Sequence, residues 1–244
     1  MKATKGGNFN AVELPEPQTA LARCYSVIDI GTVKNIYKNE DKGWHRMLNI
    51  TWEFPSLLAA FNPEKGEEPF VIGKEIAATT GPQSNFSKLI AAWRNKPLTA
   101  AEQDGFDPAQ MVGKTAYISF SHRRKLQNGK EMELGADGLV TNANTNLKFM
   151  AIMPKPKDIE APPNRNAYMV WDWDLVEKDG FEAHKVTFEK IPKWLRRKMT
   201  ESQEFKKFAG NYKVDKEAED DNVQGQGQGQ PQQGAPKKTA GDDW

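Results

Sequence analysis

Alternating apolar and polar positions organise the first third of the chain. LARCYSVIDIGTVKNIY (21–37) is rich in β-branched and aromatic residues, Tyr25 and Val27 among them, and predicts a strand. KNEDKG (38–43) predicts a turn and WHRMLNITWEF (44–54) the return strand. In that strand Leu48, Ile50, Trp52 and Phe54 form the core-facing set, and Met47, Asn49, Thr51 and Glu53 the other; Pro55 is expected to end the pairing. PFVIGKEIAATT (69–80) predicts a third strand, with a bulge expected at Gly73. The period then lengthens. Phe86, Leu89, Ile90 and Trp93 recur at helical spacing behind a Ser84 cap, and TAAEQD predicts a short helix capped at Thr99. KTAYISFSH (114–122) and a run from Leu147 or earlier to Met153 return to strand alternation, joined by the basic connection HRRKLQNGKEMELGADG.

Residues 155–166 are Pro-rich and predict an extended segment. AYMVWDWDL reads as a strand or a packed arm. IPKWLRRKMTESQEFKKF (191–208) predicts one amphipathic helix with Pro192 near its start, placed either to mediate dimerisation or to cap the fold. Three strands, a helix and two more strands is the order of a small, mainly β, OB-fold-like barrel, in which the helix between strands three and four plugs a five-stranded barrel. An SH3-like barrel or an open β-sandwich accommodates the same strands. The expected organisation is a loose arm (1–20), an OB-like domain with an extra C-terminal helix (21–213), and a disordered Gly/Gln/Pro linker with an acidic tip (214–244).

Composition narrows the classes. Hydrophobic residues make up 38% of the 244 and mean hydropathy is -0.74, which suits a polar globular protein with flexible segments. The longest apolar runs, LIAAW and FMAIM, fall far short of the ~20 residues that cross a bilayer. The first residues lack the apolar stretch of a signal peptide, so a cytoplasmic protein is expected. Cys24 is the single cysteine, which excludes an internal disulfide and a multi-thiolate zinc site; a buried place on a strand is predicted for it. The net charge of +1 conceals an asymmetry. From Val214 onward there are seven acids and three lysines, leaving 31 basic and 26 acidic residues before it. A mildly basic body with an acidic tail points to a polyanion partner.

Cations and aromatics interleave at two places. NIYKNEDKGWHR with the preceding Lys34 sets Tyr37, Lys38, Lys42, Trp44 and Arg46 around the first hairpin tip. The stretch from Tyr117 and Phe120 through His122, Arg123, Arg124, Lys125 and Lys130 does the same in the later connection. Single-stranded nucleic acid needs these two ingredients, cations for phosphates and flat side chains on which bases stack at about 1–3 kcal/mol each. In a barrel of this kind the two segments are the loops that border a bound strand. Ordinary solvated hairpins are the competing reading, and Trp52 and Trp93 fit the core better than a surface.

The enzyme classes find little. WDWD (171–174) sets Asp172 and Asp174 two apart, on a strand a pair facing the same way that suits a divalent metal; the plainer reading is an edge strand with packed tryptophans and solvated aspartates. No glycine loop with its Lys and Ser/Thr cradles phosphate, and no nucleophile sits in a recognisable elbow. No cofactor and no catalytic residue are expected.

The chain ends GDDW after a Gly/Gln/Pro tract. A disordered spacer closed by carboxylates and one indole is built to be bound: the spacer gives reach, the acids meet a basic pocket and the ring an apolar one. A basic body, such a linker and an acidic tip closed by an aromatic resemble the single-stranded-DNA-binding proteins of bacteria and their phages. There the tip ends in Pro-Phe or Phe; Asp242, Asp243 and Trp244 correspond to it here. The segments IDIGT, NITWEFP (49–55), IAAWRNK (90–96) and DPAQMVGK within 21–154 are similar to small phage replication proteins of that kind. The resemblance implies a non-catalytic protein that coats single strands during phage replication, recombination and repair. It also implies that the tip recruits polymerase, helicase-primase or nuclease and competes for the cationic groove when DNA is absent. An adaptor that binds RNA or protein, and a metal-dependent nuclease built on Asp172 and Asp174, are the alternatives.

Overall fold

The alternating runs do form strands, several longer than the pattern predicts. A computed structural model describes residues 12–37, 40–62, 64, 66–122, 125–127, 130–132, 139–140 and 147–214. The strands are β1 (Val12–Glu13), β2 (Gln18–Tyr37), β3 (Glu40–Asn62), β4 (Gly66–Ala77), β5 (Thr115–His122), β6 (Lys125–Gln127), β7 (Lys130–Met132), β8 (Leu139–Val140), β9 (Leu147–Pro154) and β10 (Met169–Trp171). The helices are α1 (Asn85–Arg94), α2 (Ala100–Gly105), α3 (Trp173–Asp179), α4 (Phe181–Lys190), α5 (Lys193–Met199) and α6 (Gln203–Phe208), with a 3-10 turn at Pro108–Met111.

The main sheet runs β4-β3-β2-β5-β9, antiparallel throughout, and β10 adds in parallel to β2. Among the described residues no ladder joins β4 to β9, so the hydrogen-bonded sheet is open and not a closed barrel. The two edges still approach across the interior, where the Lys74 ammonium lies 4.7 Å from the centre of the Phe149 ring.

The core-facing set holds: Leu48, Ile50, Trp52 and Phe54 are buried. Two local expectations fail. Pairing does not end at Pro55; a missing N–H removes single ladder bonds, so the register jumps from Phe54 to Leu58 and β3 continues to Asn62. Gly73 sits in regular register opposite Thr51, and the register shifts fall instead between β2 and β3, after Phe54, and between β5 and β9. The other set of β3 is no solvent face. Glu53 is 0% exposed and its carboxylate accepts from the N–H groups of Arg165 (2.8 Å) and Asn166 (2.7 Å), which fastens the Pro-rich segment across the back of the sheet. Arg23, opposite Glu53, donates to the Pro162 carbonyl at 2.6 Å. Burial raises the Glu53 carboxyl above its usual range, and the two N–H donors work against that rise.

Two apolar cores lie on opposite faces of β2. The first fills the curve of the sheet under α1. Ser84 caps this helix by accepting from Ser87 N–H, and Trp93 packs 5.6 Å from Trp52 and donates to the Thr115 carbonyl at 2.8 Å. Cys24 is buried in this core, and burial pushes its thiol up. Thr99 and Glu102 form a full capping box on α2.

The second core gathers Ile28, Ile30 and Val33 of β2 against Trp171, Trp173 and Phe188. It corrects the reading of the C-terminal half in three places. WDWD is not one strand: β10 ends at Trp171 and Asp172 caps α3 by accepting from Asp174 N–H. The helices α3 and α4 answer to no predicted element. The single helix of 191–208 is broken, because Ser202 accepts from Phe205 N–H and starts a new helix after Thr200. Leu195, Met199 and Phe205 are buried in this core, so the apolar face of that segment is spent within the chain.

Candidate nucleic-acid interface

Beyond Asp29 the β2–β3 hairpin leaves its β5 and β10 neighbours behind and carries on as a two-stranded ribbon. Its register decides what each face holds. Thr32 pairs with Arg46 and Lys34 with Trp44, while Val33 pairs with His45. Alternation puts Lys34, Trp44 and Arg46 on one face and Val33 on the other, where it joins the second core. Lys34 and Trp44 are therefore direct cross-strand neighbours. The Trp44 indole is 49% exposed.

The turn before Trp44 is set locally. Gly43 takes φ +85°, and the Asp41 carboxylate accepts its N–H at 2.9 Å. Lys34 pairs with Asp41 at 2.9 Å, a bond that holds the Asp41 carboxyl below the usual range, and Lys42 pairs with Glu40. These exposed pairs are screened by water, so phosphate can replace the carboxylates. Lys38 lies outside the described residues, and Tyr37 is described as backbone only.

Arg46 departs from its expected role. Its guanidinium donates through Nε (2.9 Å) and Nη2 (2.6 Å) to Asp29, and Nη2 also meets Asp174 (2.8 Å) and Asp172 (3.4 Å). Burial lifts the Asp29 carboxyl and Arg46 opposes that lift; burial likewise works against the Arg46 charge, but Asp29 and Asp174 together outweigh it and hold the guanidinium firmly charged. Three carboxylates thus surround one cation, and Arg46 ties β2 and β3 to α3 rather than offering charge to a ligand. The cluster lines a cleft of about 400 Å³ together with Phe86, Phe106, Asp107 and Trp171. Asp172 also caps α3, and among the described residues no group of three or more acids, histidines or cysteines is arranged to hold a metal.

The second basic segment is at the far end of β2. Gln18, at the start of β2, pairs with Phe120, whereas Tyr37 lies at its end, so Phe120 and Tyr37 are placed at opposite ends of that strand. Phe120 is buried and packs 5.0 Å from Phe54, which removes it from any stacking surface. Tyr117, opposite Leu21 and Met153, is half-buried on the outer face of β5. The His122 ring Nε2 is 2.9 Å from the Pro15 carbonyl. Lys125 and Lys130 open β6 and β7 and are described as backbone only. Arg123, Arg124 and the tip Asp242, Asp243 and Trp244 lie outside the described residues.

One surface escaped the sequence reading. Trp194 on α5 is 41% exposed, with Arg197 and Lys198 three and four residues on. The signal was present in KWLRRK but was absorbed into a general amphipathic pattern. No helix among the described residues is long and apolar enough to cross a membrane. No protein-family model, curated protein or solved structure matches the chain.

Proposed function

We propose that the protein is a non-catalytic, sequence-tolerant binder of single-stranded DNA, and that the β2–β3 hairpin is its principal contact. The observation that carries this reading is the cross-strand pair of Lys34 and the half-exposed Trp44 on a ribbon that projects from the sheet. A phosphate-seeking ammonium next to an open indole is the minimal unit for holding an unpaired nucleotide, and it reads no base identity. The strand order supports the reading at the level of fold. An OB barrel is a five-stranded, partly open Greek-key barrel, and β2, β3, β4, β5 and β9 have its order if the β4–β9 gap is counted as the opening. In that fold the loop between the first two strands borders the oligonucleotide site, and here it is the tip of the β2–β3 hairpin. On the same reading the tip Asp242 to Trp244 contacts replication proteins, in keeping with the resemblance to phage and bacterial proteins of this class.

The test is a titration of a fluorescent oligo-dT with the full chain and with Trp44→Ala, at two salt concentrations. Salt-weakened binding by the full chain, lowered roughly 5- to 150-fold by the substitution, is the expected result for the removal of one stack. Absence of binding by the full chain overturns the reading.

A further inference from the structure

We infer that the outward face of α5, Trp194 with Arg197 and Lys198, is a second contact for the same single strand, carried by the helical lobe. The inference rests on the proposed single-strand binding and extends it to a surface that neither basic loop includes. Three observations meet at this face.

The helix has already spent its apolar side, since Leu195 and Met199 are buried in the second core, yet it also presents an indole to solvent. Spacings of three and four residues set Arg197 and Lys198 beside Trp194 on one side of the helix. Lys198 bridges to Glu75 of β4, so the face abuts the edge of the main sheet and does not stand apart on the lobe. Cations in a last turn also complement a helix dipole, but the dipole asks for no aromatic. A flat ring beside two cations has the charge complement of a phosphate chain with splayed bases, and an acidic strand of nucleotides is the occupant to which it is matched. The Lys198–Glu75 pair is partly exposed, so a phosphate can compete with that carboxylate.

A strand long enough to leave the hairpin and reach the lobe would engage this second face, whereas a short one would not. Binding is therefore measured by fluorescence anisotropy with oligo-dT of about 6 and about 30 nucleotides, the first near the lower end of the roughly 4–16 nucleotides covered per OB fold and the second well beyond it. The proteins are the full chain, Trp44→Ala, Trp194→Ala, Trp194→Phe and the double variant Arg197→Ala, Lys198→Ala. Trp194→Ala and the double variant are expected to bind the short oligonucleotide as the unaltered chain does and to lose at least about fivefold on the long one, with Trp194→Phe recovering most of that loss. Thermal melts matching the unaltered chain show that an exposed side chain was removed without loss of fold. If Trp194→Ala binds both lengths as the unaltered chain does while Trp44→Ala is weakened, the second contact is refuted and the hairpin reading stands. If the unaltered chain binds neither length, both fall together.

Discussion

Gly31 is a point of close approach between the sheet and the helical lobe, and its substitution separates two contributions to their union. Its φ is +91°, in a region that side chains rarely adopt. A Cβ there would lie 2.6 Å from the Glu204 Oε2 and 2.8 Å from both Cβ and Oγ of Ser202. Neither neighbour yields easily. The Glu204 carboxylate accepts from the Thr32 N–H and hydroxyl, each at 2.6 Å, and Ser202 caps α6 through Phe205 N–H. Gly31→Ala should therefore cost about 1–2 kcal/mol of backbone strain. It should also cost a further ~2–3 kcal/mol from loosening the charged hydrogen bonds that dock α6. Gly43 is the internal control, because it has φ +85° and nothing within 4 Å of its notional Cβ. Gly43→Ala should show the strain alone. Urea unfolding followed by tryptophan emission measures both, since Trp171 and Trp173 are buried in the second core. Equal losses for the two variants would refute the argument that α6 docking, rather than backbone conformation, demands glycine at position 31.

Three further outcomes follow from the same geometry. Arg46→Met strands the buried Asp29 carboxylate, and a loss of about 2–3 kcal/mol is expected, discounted from the fully buried case because Arg46 is itself partly exposed; adding Asp29→Asn should restore much of it in the same unfolding assay. Glu102, held by the Thr99 N–H first and by Arg94 second, has its pKa lowered to about 2. A depressed folded pKa means its contribution is present above the ordinary Glu range and lost as pH falls through about 2, so Glu102→Gln should lower the melting temperature at pH 7 and match the unaltered chain near pH 2. If Lys34 and Lys42 each meet a phosphate, removing both should flatten the slope of log affinity against log salt by about 1.4, and an unchanged slope would show that they meet none.

The strands were legible because one face of each is buried, so period two survives into the sequence; Leu48 to Phe54 is the plainest case. The caps at Ser84 and Thr99 were legible because their signals are local. WDWD misled for the opposite reason. Trp171 and Trp173 are both buried in one core, which looks like strand alternation, but the first ends β10 and the second begins α3. The fate of Arg46 was illegible as well. Its partners come from 17, 126 and 128 residues away, and only the packing of α3 on β2 brings them to one cation.

That packing also bears on where a polyanion can lie. Asp29, Asp107, Asp172 and Asp174 border the cleft at the root of the hairpin, with Arg46 the one cation among its lining residues. A phosphate entering there meets net negative charge in a partly enclosed space, where repulsion is screened less than on open surface. Two residues further along the same face, Trp44 and Lys34 lie farther from those carboxylates, on the exposed part of the ribbon. The aspartates thus do more than join the lobe to the sheet. On the proposed reading they bar the strand from the hairpin root and leave it the outer part of the ribbon, so Arg46, though its own charge is neutralised by the three carboxylates, marks the inner boundary of the site.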